Sequence, residues 1–200
     1  MDMVLAALLE KLEYELVSGS ADVQIKEVVY DSRKVTEGSL FICIEGGTVD
    51  GHTFIPDVVK KGAKALIVTK DVSDLLPEDA DVTVIKVNDS RYALAFISAA
   101  YFGHPAEKLK VIGITGTKGK TTTTYLVKSI LEHAGHKVGL VGTIEAVIGQ
   151  EHIPANNTTP ESYVLQEYFA KMVEAGCDTV VMEVSSQGLM LHRTQGFIFD

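Results

Sequence analysis

The sequence predicts an α/β fold in two parts: a small mixed α/β domain over residues 1–106, then a parallel-sheet domain with a phosphate-binding loop over residues 107–200. Three observations carry that prediction. After residue 107, apolar strand-like runs alternate with amphipathic helical stripes, the pattern of crossover helices on a parallel sheet. Between the first of those strands and the first helix stands Gly119-Lys120-Thr121. Gly103-His104-Pro105-Ala106-Glu107 stops a helix and leads through polar residues to a new strand, which makes it the best boundary in the chain.

In chain order, Val4, Leu5, Leu8, Leu9 and Leu12 recur at helical spacing and predict a short amphipathic helix. Strand-like pieces follow at 25–30, 40–44, 65–68 and 82–87, with a helix over 54–62 that Gly62 ends. Residues 92–102 form a longer apolar helix closed by Gly103 and Pro105. In the second part, residues 109–114 approach the glycine loop as a strand. Leu126, Val127, Ile130, Leu131 and Ala134 then make one helical stripe, ended by Gly135. A strand at 138–141, a helix lined by Leu165, Phe169, Met172 and Val173, and a strand at 179–184 complete the alternation. In such sheets ligands sit beyond the carboxyl ends of the strands, and the polar motifs of this half fall there.

Composition narrows the function classes. With 46% hydrophobic and 22% charged residues the chain is ordinary globular material, large enough for a real core. A net charge of -9 argues against nucleic acid, whose phosphates demand a basic face. Polyanion binding in an acidic protein has to be local, through loops and helix termini. The N-terminus lacks a basic region before its apolar run, and Glu10 and Lys11 interrupt that run, so neither a signal peptide nor a membrane span is expected. Cys43 and Cys177 follow no pairing or metal spacing and read as reduced and structural, in a cytoplasmic setting.

The chemistry concentrates in Gly113-Ile114-Thr115-Gly116-Thr117-Lys118-Gly119-Lys120-Thr121-Thr122. A strand, a glycine loop and a helix in succession point backbone N–H groups and a helix N-terminus at one spot, which is how polyphosphate is held. Lys120 would reach the outer phosphates and the Thr121 hydroxyl would ligate Mg²⁺, so the segment is read as an ATP site. Ile114 stands five residues before Gly119, where the usual loop pattern has glycine. Glu183, delivered by the apolar run Val180-Val181-Met182, supplies the oxygen ligand that Mg²⁺ requires. Thr159 reads as a helix N-cap, with Pro160 at the first helical position and Glu161 complementing the dipole. Capping does not explain the preceding Asn156-Asn157-Thr158, which is read as substrate contact at an anion-friendly helix end. In the first part, Asp31-Ser32-Arg33 fits a surface turn with a local ion pair, and the glycine-rich stretch 46–52 fits a plain connection as well as a ligand loop. His133 and His136, near a helix end, are expected to favour the dipole rather than bind metal.

Taken in order, Asp31-Ser32-Arg33, Asp50-Gly51-His52, Gly116 to Thr122, Asn157-Thr158-Thr159-Pro160 and Glu183-Val184-Ser185-Ser186-Gln187-Gly188-Leu189 resemble the Mur ligase family, in its MurE branch. The resemblance implies that ATP phosphorylates a peptide carboxylate, and that an amino acid's amine attacks the acyl phosphate in peptidoglycan precursor synthesis. It implies an ATP loop of Gly116, Thr117, Lys118, Gly119, Lys120, Thr121 and Thr122, with Lys120 and Glu183 catalytic and Thr121 and Glu183 serving Mg²⁺. Tyr30, Ser32, Gly47, Thr48 and Val49 would hold the UDP end of UDP-MurNAc-dipeptide, and Asn157, Thr158, Thr159, Ser185 and Arg193 the muramoyl-peptide end. It further implies that the ATPase domain is incomplete at its C-terminus, with an amino-acid-binding domain downstream, so that these residues alone catalyse no ligation. Which amino acid is added (lysine, diaminopimelate or another) is left open. Lys118 replaces the family's usual Asn, Gln187 its usual His, and Leu191 a frequent polar contact. A kinase or NTPase of the same loop type, and a UDP-sugar-binding module without catalysis, remain as competing readings.

Overall fold

The computed structural model describes residues 2–47 and 49–200. They form two compact units, one ending at Tyr101 and the other spanning Phe102–Asp200.

The first unit begins with β1 (Met3–Val4) and α1 (Leu5–Leu8), then β2 (Glu15–Ser18), β3 (Gln24–Ile25), β4 (Glu27–Val29) and β5 (Ser39–Ile42). A 3-10 turn at Gly51–Phe54 precedes α2 (Ile55–Lys60), followed by β6 (Ala65–Val68), β7 (Thr83–Lys86) and α3 (Ser90–Tyr101). The main sheet has the order β2-β7-β6-β5-β4; β4 to β7 run parallel and β2 is antiparallel at the edge. Strands β5 and β6 are buried throughout, so they read as continuous apolar runs rather than alternating ones. Phe41, Ile55, Val58, Leu66 and Val84 meet in the core. The helical stripe from Val4 to Leu12 yields only one turn: Val4 pairs with β3, and the helix ends at Leu8, with residues 9–11 in a turn. Strand β2 is exposed at all four positions and so carries no burial pattern by which the sequence could reveal it.

The second unit contains β8 (Lys110–Ile114), α4 (Lys120–His133), β9 (Val138–Val141), β10 (Glu145–Ile148), β11 (Glu151–Pro154), α5 (Ser162–Glu174), β12 (Thr179–Glu183) and α6 (Ser186–Met190). Its sheet has the order β11-β10-β9-β12-β8. The expected parallel set is present as β9, β12 and β8, and β12 lies between the other two in register with both. The β10–β11 hairpin, which the sequence reading lacked, extends the sheet antiparallel around Gly149-Gln150, with Gly149 at φ 59°.

Helix α4 also departs from expectation. Thr124 is its buried residue, and its hydroxyl donates back to the Lys120 and Thr121 carbonyls. Leu126 and Ile130 are 59% and 67% exposed, so the apolar stripe does not face the core formed by the described residues. Among the described residues no helix is long and apolar enough to cross a membrane.

Candidate functional site

Strand β8 feeds directly into the glycine loop, and α4 starts at Lys120 as the sequence requires. Gly116 and Gly119 have φ of 148° and 80°, conformations that residues with a Cβ rarely adopt. Gly116, Thr117, Lys118 and Thr122 are exposed, so the loop's backbone is open to a ligand. The Lys120 ammonium donates to the Gly116 carbonyl at 2.7 Å, folded over the place where an anion would sit.

Glu183 closes this site from the end of β12, opposite Ile114 of β8. It is 1% exposed, yet among the described residues its carboxylate accepts from neutral groups: the Thr121 hydroxyl at 3.1 Å, the Thr143 N–H at 2.9 Å and the Thr143 hydroxyl at 3.1 Å. A buried carboxylate without a cation is costly. Carboxylate and hydroxyl oxygens together are the hard donors that suit Mg²⁺, so these residues fit that ion. Gly142 makes the approach possible, since a Cβ there would lie 2.6 Å from the Glu183 Oε1. Thr143 went unrecognised in the sequence, although Gly142-Thr143 follows a predicted strand at the same carboxyl edge as the other motifs.

Thr159 is 1% exposed and does not cap a helix: α5 starts at Ser162, with Glu161 as its N-cap residue. The Thr159 hydroxyl instead donates to the Glu183 carbonyl and accepts from the Ser185 N–H, both at 3.0 Å. The capping signal was overridden by this tie to β12. Thr158 shares a hydroxyl contact of 3.0 Å with Thr143, which brings the Asn156–Thr159 stretch beside the Glu183 ligands. Arg193 donates to the Thr159 carbonyl at 3.0 Å and pairs with Glu161 at 2.7 Å. Ser185 caps α6 by accepting from the Gly188 N–H. Asn157, Thr158, Thr159, Ser185 and Arg193 line one cavity of about 280 Å³, together with Gln187. His133 turns its ring to the Ser129 carbonyl and His136 pairs with Asp178.

The first unit has its own cavity of about 460 Å³ beyond the carboxyl ends of β4 and β5, lined by Tyr30, Ser32, Val49 and Phe54 among others. Gly47 lies in the adjoining loop but does not line the cavity, and Thr48 falls outside the described residues. Asp31 and Arg33 pair with each other, with a guanidinium-to-carboxylate distance of 2.7 Å. Hydrogen bonds from Arg33 hold the Asp31 carboxyl down at about 2, against 3.8 ordinarily. A depressed carboxyl stabilises the fold above its unfolded value and loses that contribution as pH falls through the folded one. The thermal midpoint is therefore expected to drop between about pH 4 and pH 2, and Arg33→Ala to flatten that decline. The effect is small because Arg33 is 87% exposed and screened by water. Both cysteines are free and buried, and burial pushes the Cys43 thiol well above its usual range.

Comparisons with known proteins bear on both units. The family described as "Mur ligase family, catalytic domain" matches residues 24–102, and "Mur ligase middle domain" matches residues 114–200. A UDP-N-acetylmuramoyl-L-alanyl-D-glutamate–2,6-diaminopimelate ligase of Clostridium perfringens is 51% identical over 198 residues, covering 99% of this chain and 40% of that protein. Its counterpart in Clostridium botulinum is 49% identical, covering 98% and 40%. A solved structure of such a diaminopimelate ligase superposes with a TM-score of 0.81 over 100% of this chain and 39% of its own, at 21% identity. MurF from Acinetobacter baumannii gives 0.57 over 93% and 36%, at 23% identity. These two likenesses speak for the fold. The chain spans about 40% of the length of the curated relatives it matches.

Proposed function

The chain belongs to the Mur ligase family, and from that premise we propose that the full-length protein is a MurE-type ligase. In this reading it joins an amino acid to UDP-MurNAc-L-Ala-D-Glu at the expense of ATP, on the cytoplasmic side of cell-wall synthesis. The amine donor proposed is 2,6-diaminopimelate, the amino acid in the relatives' names. Residues 1–106 would serve the UDP-sugar and residues 107–200 would form the first part of the ATP-using domain.

The observation that carries the proposal is the buried Glu183 carboxylate, held by neutral donors beside the glycine loop and Lys120. A carboxylate at neutral pH is a poor electrophile with a poor leaving group. The substrate peptide's carboxylate oxygen would take the γ-phosphoryl group of ATP with release of ADP; the amine of the incoming amino acid would then attack the acyl carbon and lose a proton as inorganic phosphate leaves. The loop from Gly116 to Gly119 offers backbone N–H groups and the α4 N-terminus to the phosphates. Lys120 swings from the Gly116 carbonyl onto the outer phosphates and stabilises charge as it develops. Thr121 and Glu183 would hold Mg²⁺, which when bound neutralises phosphate charge. The Asn157, Thr158, Ser185 and Arg193 cavity would orient the peptide carboxylate toward that site, a contribution made by alignment. Tyr30, Ser32 and Val49 would hold the uridine end.

Titration calorimetry on the 200-residue chain tests the binding half of the proposal: both ATP–Mg²⁺ and the UDP-linked dipeptide should bind. Binding of the dipeptide alone would leave a non-catalytic module, and ATP hydrolysis indifferent to the dipeptide would leave an NTPase. Amide formation is expected only from the full-length protein, and turnover by residues 1–200 would overturn that part. Ser32→Ala in the full-length protein should raise the KM for the UDP-linked substrate about tenfold, a hydrogen bond's worth, and leave ATP affinity alone. The reverse pattern would move the nucleotide-sugar out of the first unit.

A further inference from the structure

We propose that His52 is a positioning residue: a neutral, buried imidazole that clamps the glycine loop of the first unit to the end of β6 and thereby sets its affinity for uridine nucleotide. The affinity part rests on the uridine reading above. His52 lies on the 3-10 turn that follows the loop and is 1% exposed. Its Nδ1 is 2.6 Å from the Asp50 Oδ1, while its Nε2 accepts from the Thr69 backbone N–H at 3.1 Å. A carboxylate can only accept and a backbone N–H can only donate, so the ring must carry its proton on Nδ1 and leave Nε2 bare.

The contacts close on themselves. Thr69 immediately follows β6, and its hydroxyl donates to the Glu45 Oε1 at 2.7 Å. Glu45 and Asp50 pair across the loop as an antiparallel bridge, and the Gly46 N–H donates to the Val49 carbonyl at 2.9 Å. Both stems of the loop are thus tied, one through Glu45 to the Thr69 side chain and the other through Asp50 and His52 to the Thr69 backbone. Val49, which lines the cavity, is carried between those stems. Ordering the loop before the ligand arrives removes an entropy cost from binding.

A metal centre is the obvious competing use, because the ligand atoms of Glu45, Asp50 and His52 lie within 4.8 Å of one another. The partners argue against it. The His52 Nε2 lone pair is filled by a backbone donor, Nδ1 faces Asp50 with its proton, and the Lys70 ammonium takes the other Asp50 oxygen. The Asp50 charge is already met by Lys70.

The test uses the 200-residue chain, with UDP as probe and ATP as the control for the other unit. Asn at 52 keeps a donor toward Asp50 but loses the Thr69 tie, whereas Gln keeps an acceptor toward Thr69 but loses Asp50. His52→Asn and His52→Gln are each expected to weaken UDP binding about tenfold, the loss of one buried hydrogen bond, with ATP affinity unchanged. Thr69→Ala, which removes the Glu45 tie but keeps the backbone donor to His52, should weaken it about threefold and serves if the His52 variants fail to fold. Amide exchange at Gly46 should accelerate about tenfold or more in the same variants, and the ¹⁵N shifts of His52 should show a protonated Nδ1 and a bare Nε2. If Ser32→Ala weakens UDP binding while the His52 and Thr69 variants bind like wild type, this inference fails and the uridine reading stands. If the wild-type chain does not bind UDP, the uridine reading and the affinity claim fail together. Unchanged Gly46 exchange or the opposite tautomer overturns the clamp itself.

Discussion

Lys120→Ala is expected to cut ATP-dependent amide formation by the full-length protein about a hundredfold or more. The side chain sits at the first position of α4 and is half-buried, with its ammonium on a loop carbonyl rather than on an acidic partner. That contact is weak enough to exchange for a phosphate, which is what a residue acting during phosphoryl transfer needs. Removing it leaves the glycine loop and helix N-terminus intact, so ATP affinity should fall less than turnover does. Steady-state rates with saturating UDP-linked dipeptide check this directly. Equal turnover in the variant would take Lys120 out of the site and the ligase mechanism with it.

Glu183→Gln should move stability and function in opposite directions. The carboxylate is 1% exposed between Met182 and Val184, and its donors are a backbone N–H and two hydroxyls. A glutamine has the same shape; its oxygen keeps the Thr143 N–H, and the two hydroxyls can turn to accept from its amide. Eliminating a buried charge of this kind is expected to stabilise the chain without nucleotide by about 1–2 kcal/mol, seen as a rise in thermal midpoint. Mg²⁺-dependent ATP binding should fall about a hundredfold, since a neutral amide is a poor ligand for a hard divalent ion. A lower midpoint in the variant would mean that the carboxylate is not a strained feature held for function. Gly142→Ala should injure the same function by another route, because its methyl carbon would come within 2.6 Å of Oε1.

Much of this site was legible because its signals are local. A strand, two glycines with positive φ and a helix beginning at Lys120 follow each other within a dozen residues, and each announces itself by residue type. Glu183 could be read from the apolar strand before it. What sequence did not reveal depends on partners distant in the chain. Thr159 looks like a cap locally, yet it is claimed by β12, more than twenty residues on. Thr143 becomes a partner of the Glu183 carboxylate only once that residue lies beside it, 40 residues away. The stripe on α4 has helical spacing, but spacing alone does not say which face is covered, and Leu126 and Ile130 are open. His52 looked like one member of a motif, and its role emerges only from Thr69, 17 residues later in a different strand's exit.

The pairing of β12 has a further implication for how this chemistry tolerates change. Every residue of that strand is enclosed, and successive side chains point to opposite sides of the sheet. Adding or deleting a single residue between Thr179 and Met182 would swing the carboxylate through the sheet and present Met182 or Val184 at its place beside Thr121 and Thr143. The placement of Glu183 is therefore governed by an all-or-nothing parity. Substitutions along the strand can be graded in their harm, but a one-residue length change there leaves no partially working form.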